Sequence, residues 1–90
     1  VWLDADEFQF PLTLRIWEPG DSMIPFGMSG QRKIKKMLTD ARITGQLRTA
    51  YPVVCDAVRI AWLPGIRPDH SFAVTESTRR VLAIKFQVEK

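Results

Sequence analysis

Six basic side chains lie close together in the sequence between Gln31 and Arg48. Such a group of positive charges can attract a polyanion. One acid, Asp40, stands among them, so this segment carries a net charge of +5, while the whole 90-residue chain carries +3 and the remainder therefore −2. A local basic surface on a nearly neutral chain is typical of nucleic-acid binding. A solvated helix face would explain the same charges, and charge alone favours that alternative. The six are Arg32, Lys33, Lys35, Lys36, Arg42 and Arg48.

Groups able to do catalysis are few. His70 is the only histidine and Cys55 the only cysteine, which excludes a histidine-based metal cluster and an internal disulfide. His70 is predicted to be an exposed loop residue and Cys55 a small buried apolar one. The acidic group at Asp4, Asp6 and Glu7 is expected to solubilise the chain end or to contact a preceding domain. We therefore predict no catalytic residue, no metal and no cofactor site in this chain.

The glycine-rich loop that precedes the basic segment could in principle bind an anion. The loop Gly27–Gly30 resembles a backbone nest ahead of a helix. It lacks the GxxxxGK[ST] order of a nucleotide-binding P-loop. Turn formation is the simpler interpretation, because glycine adopts positive φ at low cost.

The first half of the chain predicts one strand and two helices. Apolar residues alternate from Phe8 to Ile16, which predicts a strand that buries this face and places Arg15 and Trp17 on the other. Trp17 is expected to cover a second apolar layer, and Arg15 is expected to have a functional role. Pro11 indicates an edge strand. An amphipathic helix is predicted over about 32–41, with Ser29 as its candidate N-cap, and a short helix over about 45–50 after Thr44. The buried stripe of the first helix is Ile34, Met37, Leu38 and Ala41.

The second half predicts short strands. These lie at Val53–Val54, over 58–63, at Phe72–Val74 and over 81–88, with Trp62 in the core and a hydroxyl-rich turn at 75–78. The fold class is α+β and β-rich: a compact, sandwich-like antiparallel domain spanning 1–90. The first residue is valine, which suggests a piece of a longer protein. No signal peptide or bilayer span is evident, and one cysteine fits a reducing cytoplasm.

One ordered pattern is shared with a known family. The residues from Arg15 to Gly30 read R-x-W-x-x-G-D-x-x-x-P-x-G-M-x-G and precede the basic helix. This pattern resembles the C-terminal domain of tRNA(Ile)-lysidine synthetase. Further matching positions lie along most of the chain, among them Asp40, Ile60, Trp62, Gly65, Arg67 and Phe72.

The resemblance implies a function and a fold. Enzymes of this family use ATP to attach lysine to the wobble cytidine of an isoleucine tRNA, and their ATP site, in an N-terminal domain, needs a Ser-Gly-Gly-x-Asp-Ser loop that this sequence lacks. The resemblance therefore implies a noncatalytic module, also seen in the β subunit of phenylalanyl-tRNA synthetase, that docks the tRNA body at its acceptor stem beside the preceding domains. The principal predicted contacts are Arg32, Lys33, Lys35 and Lys36, and the secondary ones are Arg15, Arg42, Arg48 and Arg67. The alternative is a structural or self-associating module, such as a homodimer, without direct RNA contact.

Overall fold

Residues 1–85 are described by a computed structural model, and within them the chain forms eight short strands and two α-helices. Short 3-10 helices lie at Ala5–Glu7 and His70–Phe72. The α-helices are α1, Ile34–Asp40, and α2, Gly45–Thr49. The strands are β1 Trp2–Asp4, β2 Thr13–Ile16, β3 Ser22–Met23, β4 Arg32–Lys33, β5 Pro52–Cys55, β6 Ile60–Leu63, β7 Arg67–Pro68 and β8 Val81–Ala83.

A four-stranded antiparallel sheet in the order β2-β5-β6-β7 lies at the centre of the domain. Two small antiparallel pairs, β1 with β8 and β3 with β4, complete the β structure of the described residues. The predicted β-rich α+β fold is confirmed. Its layered character follows from burial, because separate apolar clusters cover the two faces of the central sheet.

The first cluster joins α1 to the sheet through Ile34, Leu38, Val53, Ile60 and Leu63, and the second is centred on Leu3, Phe8, Val54, Trp62 and Phe72. A β-bulge assigns the β6 side chains to these faces. Cys55 pairs with Ile60 and Val54 with Trp62, so that Ala61 falls between the pairs. Strict alternation would have placed Ile60 and Trp62 on one face. The bulge sends them to opposite clusters and so buries all of β6.

The prediction for the first strand is wrong in its length and its buried face. β2 covers only Thr13–Ile16, and the side chains of Phe10, Leu14 and Ile16 are 61%, 66% and 52% exposed. Among the described residues β2 pairs only with β5, so it is an edge strand, as Pro11 indicated. The second cluster covers the central strands but does not extend over this edge.

The first helix is shorter than predicted, and Ser29 does not cap it. The helix starts late because residues 32–33 form strand β4 and pair with β3. Lys33 therefore occupies the N-cap position, and its side chain makes no cap hydrogen bond. Ile34, Met37 and Leu38 are buried as predicted, whereas Ala41 lies past the end of α1 and is exposed. The second predicted helix is confirmed as Gly45–Thr49, and Thr44 takes its N-cap position without a side-chain hydrogen bond.

Three further expectations change in the structure. Phe72 is fully buried, but it belongs to a 3-10 helix and not to a strand, and Val74 is exposed. Val58 lies in the turn before β6 and is also exposed. The predicted last strand is described only as Val81–Ala83, and its positions 86–88 lie outside the described residues.

Two of the three N-terminal carboxylates, those of Asp4 and Asp6, have partners inside the domain. Asp4 is buried, accepts the N–H of Asp6 at 2.9 Å and accepts the hydroxyl of Thr78 at 3.0 Å. Asp6 accepts the N–H of Arg79 at 2.9 Å and the Nε of Arg80 at 3.0 Å. The predicted hydroxyl-rich turn at 75–78 is confirmed by these and its internal hydrogen bonds. The two aspartates therefore join the first and last described segments.

Candidate nucleic-acid interface

The position of the basic helix is fixed by Asp21. Both guanidinium nitrogens of Arg15 donate to its carboxylate, Nη1 at 2.9 Å and Nη2 at 3.1 Å, and the N–H of Glu18 donates at 2.7 Å. The backbone carbonyl of Asp21 accepts the N–H of Ile34 at 3.0 Å, which satisfies the first donor of α1. Gly20, with φ +96°, makes the turn that brings these groups together. The hydrogen bonds from Arg15 hold the pKa of Asp21 below its usual range, since they stabilise the charged carboxylate.

The loop after β3 is anchored to the segment around β7. The carboxylate of Asp69 accepts the N–H of Ile24 at 3.0 Å, and the N–H of Phe26 donates to Pro68 at 2.9 Å. The N–H of Gly27 donates to Nδ1 of His70 at 3.2 Å, and the N–H of Met28 donates to the carbonyl of Pro25 at 2.9 Å. Two of the four amides of the glycine-rich loop thus have internal partners. The loop is therefore held to the segment around β7, and half of its amides are already engaged.

Helix α1 presents a basic face to solvent. Lys36 Nζ lies 3.2 Å from Asp40 Oδ1, one turn along the helix, and Arg32 Nη1 lies 3.7 Å from Asp40 Oδ2. Such exposed ion pairs contribute at most about 1 kcal/mol each. Lys33 and Lys35 are exposed, and their ammonium groups make no ion pair with any residue of the described part of the chain. The face therefore carries positive charge that internal carboxylates do not neutralise.

Arg42 occupies an unusual backbone conformation at the end of this face. The N–H of Ile43 donates to Leu38 at 2.9 Å and the N–H of Arg42 to Thr39 at 3.0 Å, which together form a Schellman cap. Arg42 is at the left-handed position of this cap, with φ +59°. Glycine is the usual residue at such a position. The Arg42 side chain is exposed, beyond the C-terminus of α1.

Arg15 and Arg48 have structural partners inside the domain. The guanidinium of Arg48 donates to the carbonyls of Ile43 at 3.3 Å and Lys35 at 3.2 Å, and it lies 5.8 Å from the ring of Trp17. Trp17 Nε1 donates back to the Arg48 carbonyl at 2.6 Å, and its ring packs against the first cluster, as predicted. Arg48 thus ties α1, α2 and the end of β2 together.

The predicted contact residues therefore separate into three groups. Lys35 and Lys36 lie on α1, Lys33 directly precedes it and Arg42 lies just past its end; these four exposed residues are called the α1 face. Arg32 and Arg67 line one cleft beside it, and Arg15 and Arg48 hold the scaffold. Sequence reasoning missed Asp21 and Asp69 as organising carboxylates. The signal for Asp21 was its place in the Gly-Asp turn between a strand end and a helix, where an acid often accepts local N–H groups.

Other site chemistry is limited in the described residues. Burial raises the pKa of the Cys55 thiol, which lies in the first cluster as predicted. Residues 1–85 contain no group of three or more histidine, cysteine or acidic side chains placed to hold a metal ion. Neither helix in that part of the chain is long and apolar enough to cross a membrane.

The fold and the α1 face together describe a small β-rich domain in which a basic helix packs against an antiparallel sheet. The sequence model described as the TilS substrate C-terminal domain matches residues 12–85, and the chain belongs to this family. The resemblance proposed from the Arg15–Gly30 pattern is thereby confirmed.

Relatives and solved structures agree with this assignment. The tRNA(Ile)-lysidine synthase of Parabacteroides distasonis is 40% identical over 86 residues, which cover 96% of this chain and 20% of that protein. The enzyme of the same name from Bacteroides thetaiotaomicron is 42% identical over 82 residues, 91% of this chain and 19% of that protein. The chain thus spans about a fifth of these curated relatives.

Two solved structures share the fold. A crystal structure of a TILS C-terminal domain matches with a TM-score of 0.73 at 28% identity, over 94% of this chain and 72% of that one. An N-terminal fragment of the phenylalanyl-tRNA synthetase β-subunit from Pyrococcus horikoshii matches with a TM-score of 0.75, over 90% of this chain and 26% of that one. At 21% identity, this second likeness concerns the fold alone.

Proposed function

We propose that this chain is the tRNA-binding domain of a cytoplasmic tRNA(Ile)-lysidine synthase and docks the tRNA body, at the acceptor stem, on the α1 face. Double-stranded RNA is recognised mainly by its shape, phosphates and 2′-hydroxyls. A rigid helix that carries lysines suits that task, because phosphates are bound by positioned charge. The observation that carries the proposal is the pair of exposed ammonium groups at Lys33 and Lys35 that no described carboxylate neutralises.

Catalysis belongs to another part of the enzyme in this proposal. ATP and lysine bind the catalytic N-terminal domain of the synthase, and this domain contributes affinity and orientation for tRNA. The internal contacts of Arg15 and Arg48 leave them a supporting role, in which they hold α1 in place. Arg42 extends the basic face beyond the end of α1.

The salt dependence of tRNA binding tests this proposal. The domain is expected to bind tRNA with an affinity that falls as salt rises, and each neutralised phosphate contributes roughly 0.7–0.9 to the slope of log K against log salt. Changing Lys33, Lys35 and Lys36 to alanine should lower that slope by roughly 2 to 3 units. All three side chains are exposed, and the ion pair lost with Lys36 is a weak surface one, so the melting temperature should change little.

The matched control removes the same charge elsewhere. Arg59, Arg79 and Lys85 are also exposed and lie outside the α1 face. Their triple alanine variant should keep most of the wild-type slope. An equal fall of the salt slope in the two triple variants would mean that net charge, and not a defined face, drives binding. An unchanged slope in the lysine variant would mean that the RNA binds to another face.

A second candidate function is self-association. The apolar side chains of Leu14 and Ile16 are 66% and 52% exposed on the edge strand β2, and an unpaired edge with apolar side chains is a site for strand pairing. Sedimentation equilibrium of the wild type and of a Leu14→Lys variant distinguishes the two candidates. A dimer that this variant dissociates, in a domain without salt-dependent RNA binding, would favour the structural module.

A further inference from the structure

A cleft of about 380 Å³ lies between α1 and the segment that contains β7. Its apolar lining comes from Pro25, Met28, Met37 and Ile66. Pro25 and Met37 are buried, and Met28 and Ile66 are partly exposed at the opening. The hydrogen bonds that anchor the loop after β3 hold Pro25 and Met28 in place. The loop side of the cleft is therefore held by hydrogen bonds to the segment around β7.

Three charged side chains line the cleft, those of Arg32, Asp40 and Arg67, and each is at least partly exposed. Arg32 contributes a guanidinium on one side, where its Nη1 lies 3.7 Å from Asp40 Oδ2. That separation is longer than a hydrogen bond, so the donors of Arg32 stay available. Arg67 contributes the second guanidinium from β7. Its side chain is exposed and makes no hydrogen bond or ion pair within residues 1–85. Two cations at the rim of an apolar cleft favour a ligand with a flat apolar part and an anionic part.

A nucleotide has both parts. A base stacks on apolar or aromatic surface and on guanidinium planes, and its phosphate pairs with arginine. The volume is near the lower end of the range for small-molecule sites, about 300–1,000 Å³, which suits one base and excludes a duplex. The carboxylate of Asp40 lies at the same rim and can accept a hydrogen bond from an exocyclic amino group.

We propose that this cleft binds one unpaired nucleotide of the RNA, with the base against Met28 and Met37 and the phosphate between Arg32 and Arg67. This inference rests on the proposed function, because the RNA docked on the lysines of α1 supplies the unpaired nucleotide. Met37 and Asp40 belong to α1, which also carries Lys35 and directly follows Lys33, so the cleft adjoins the element on which the duplex docks in our proposal. The domain then reads the junction between paired and unpaired RNA as well as the duplex.

The three methionines of the chain provide a direct test. Met28 and Met37 line the cleft, whereas Met23 is buried in the first cluster and does not line it. Carbon-13 methyl spectra of the domain are recorded during titration with adenosine or cytidine monophosphate. The resonances of Met28 and Met37 should shift with saturation while that of Met23 stays fixed. Uniform shifts, or none, would overturn the cleft as a nucleotide site.

A comparison of two RNA hairpins separates this inference from the proposed function. They share one duplex, and one carries a four-nucleotide 3′ overhang. The wild type should bind the overhang hairpin roughly tenfold more tightly, since stacking of one base contributes on that scale. Met28→Glu, which places a negative charge at the cleft, and Arg67→Ala, at an exposed position, should each reduce the preference to less than about twofold.

The control is Val74→Glu, which introduces the same charge at an exposed residue outside the cleft and should keep the preference. Salt-dependent binding of both hairpins with equal affinity would overturn the cleft and leave the duplex-binding proposal standing. Retention of the preference in both cleft variants would overturn the cleft as well. If neither hairpin binds, the proposed function fails, and the inference that rests on it fails too.

Discussion

Arg42 shows, at the scale of one residue, a conflict between stability and charge. A left-handed conformation costs a side-chain-bearing residue roughly 1–2 kcal/mol, and glycine escapes that cost. The Schellman cap of α1 nevertheless has arginine at its left-handed position, with φ +59°. Local strain of this kind is often found at functional sites. We infer that the charge of Arg42 serves the basic face at a small cost in stability.

Replacing Arg42 with glycine should therefore separate the effect on stability from the effect on RNA binding. The relief of strain and the greater entropy of unfolded glycine oppose each other, so we expect the free energy of unfolding to be unchanged or raised by up to about 1 kcal/mol. RNA binding should weaken, and its salt slope should fall by roughly 0.7–0.9, which corresponds to one phosphate contact. Urea melts and fluorescence anisotropy measure the two effects.

Arg42→Lys is the matched control, because it keeps the charge and the strained backbone. It should retain the salt slope and the stability of the wild type. A glycine variant that is less stable by more than about 0.5 kcal/mol would show that the arginine side chain stabilises the fold, since exposed substitutions usually stay within that margin.

At the scale of elements, α1 is the part of the domain whose packing determines the site. Leu38 is fully buried in the first cluster and is also a carbonyl acceptor of the Schellman cap. Leu38→Ala should lower the free energy of unfolding by about 2–5 kcal/mol, because it removes buried methyl groups and leaves a cavity. For a small domain this is a large fraction of the total stability.

Leu47→Ala on α2 is the corresponding control. The Leu47 side chain is 52% exposed. The same chemical change should therefore alter the free energy of unfolding by no more than about 0.5 kcal/mol. Denaturant melts of the two variants under identical conditions compare buried with exposed leucine on neighbouring helices. Equal costs for the two substitutions would show that α1 does not pack on the sheet through Leu38.

The elements differ in how far the sequence could predict them. A helix carries its own periodicity, so spacing alone predicts the burial of Ile34, Met37 and Leu38 that the structure shows. The buried face of an edge strand depends on which layers reach it. The alternation from Phe8 to Ile16 therefore predicted a burial that the structure does not have. The bulge at Ala61 likewise reassigns side chains by a local irregularity that no periodic pattern encodes.

The candidate site was predictable to a similar degree. Clustered basic residues on an amphipathic helix mark its exposed face, and so the positions of Lys35 and Lys36 followed from sequence. The partners of Arg15 and Arg48 could not be predicted from the sequence, because these contacts join segments whose proximity depends on the whole fold. The cleft between α1 and β7 belongs to the same category, since Arg32 and Arg67 are brought together only by the tertiary structure.

At the scale of the whole molecule, the docking role that we propose for this domain separates tRNA binding from the chemical step. Duplex contacts from a rigid face act on substrate and transition state alike, and such uniform binding lowers KM without raising kcat. A docking domain contributes to kcat only through the orientation that it gives the reacting nucleotide. The basic face should therefore affect mainly the affinity for tRNA of any synthase that carries it.

A domain exchange measures this division of labour. The matching segment of the Parabacteroides distasonis synthase, 40% identical over 86 residues, is replaced by this chain, either wild type or with Arg32, Lys33, Lys35 and Lys36 changed to alanine. The alanine chimera should show a raised KM for tRNA and a kcat at saturating tRNA within a few-fold of the wild-type chimera, because the lost contacts are made equally in both states. The Arg59, Arg79 and Lys85 triple alanine variant in the same chimera controls for net charge. A large fall in kcat with an unchanged KM would contradict the docking role, and would mean instead that the face helps to assemble the catalytic centre.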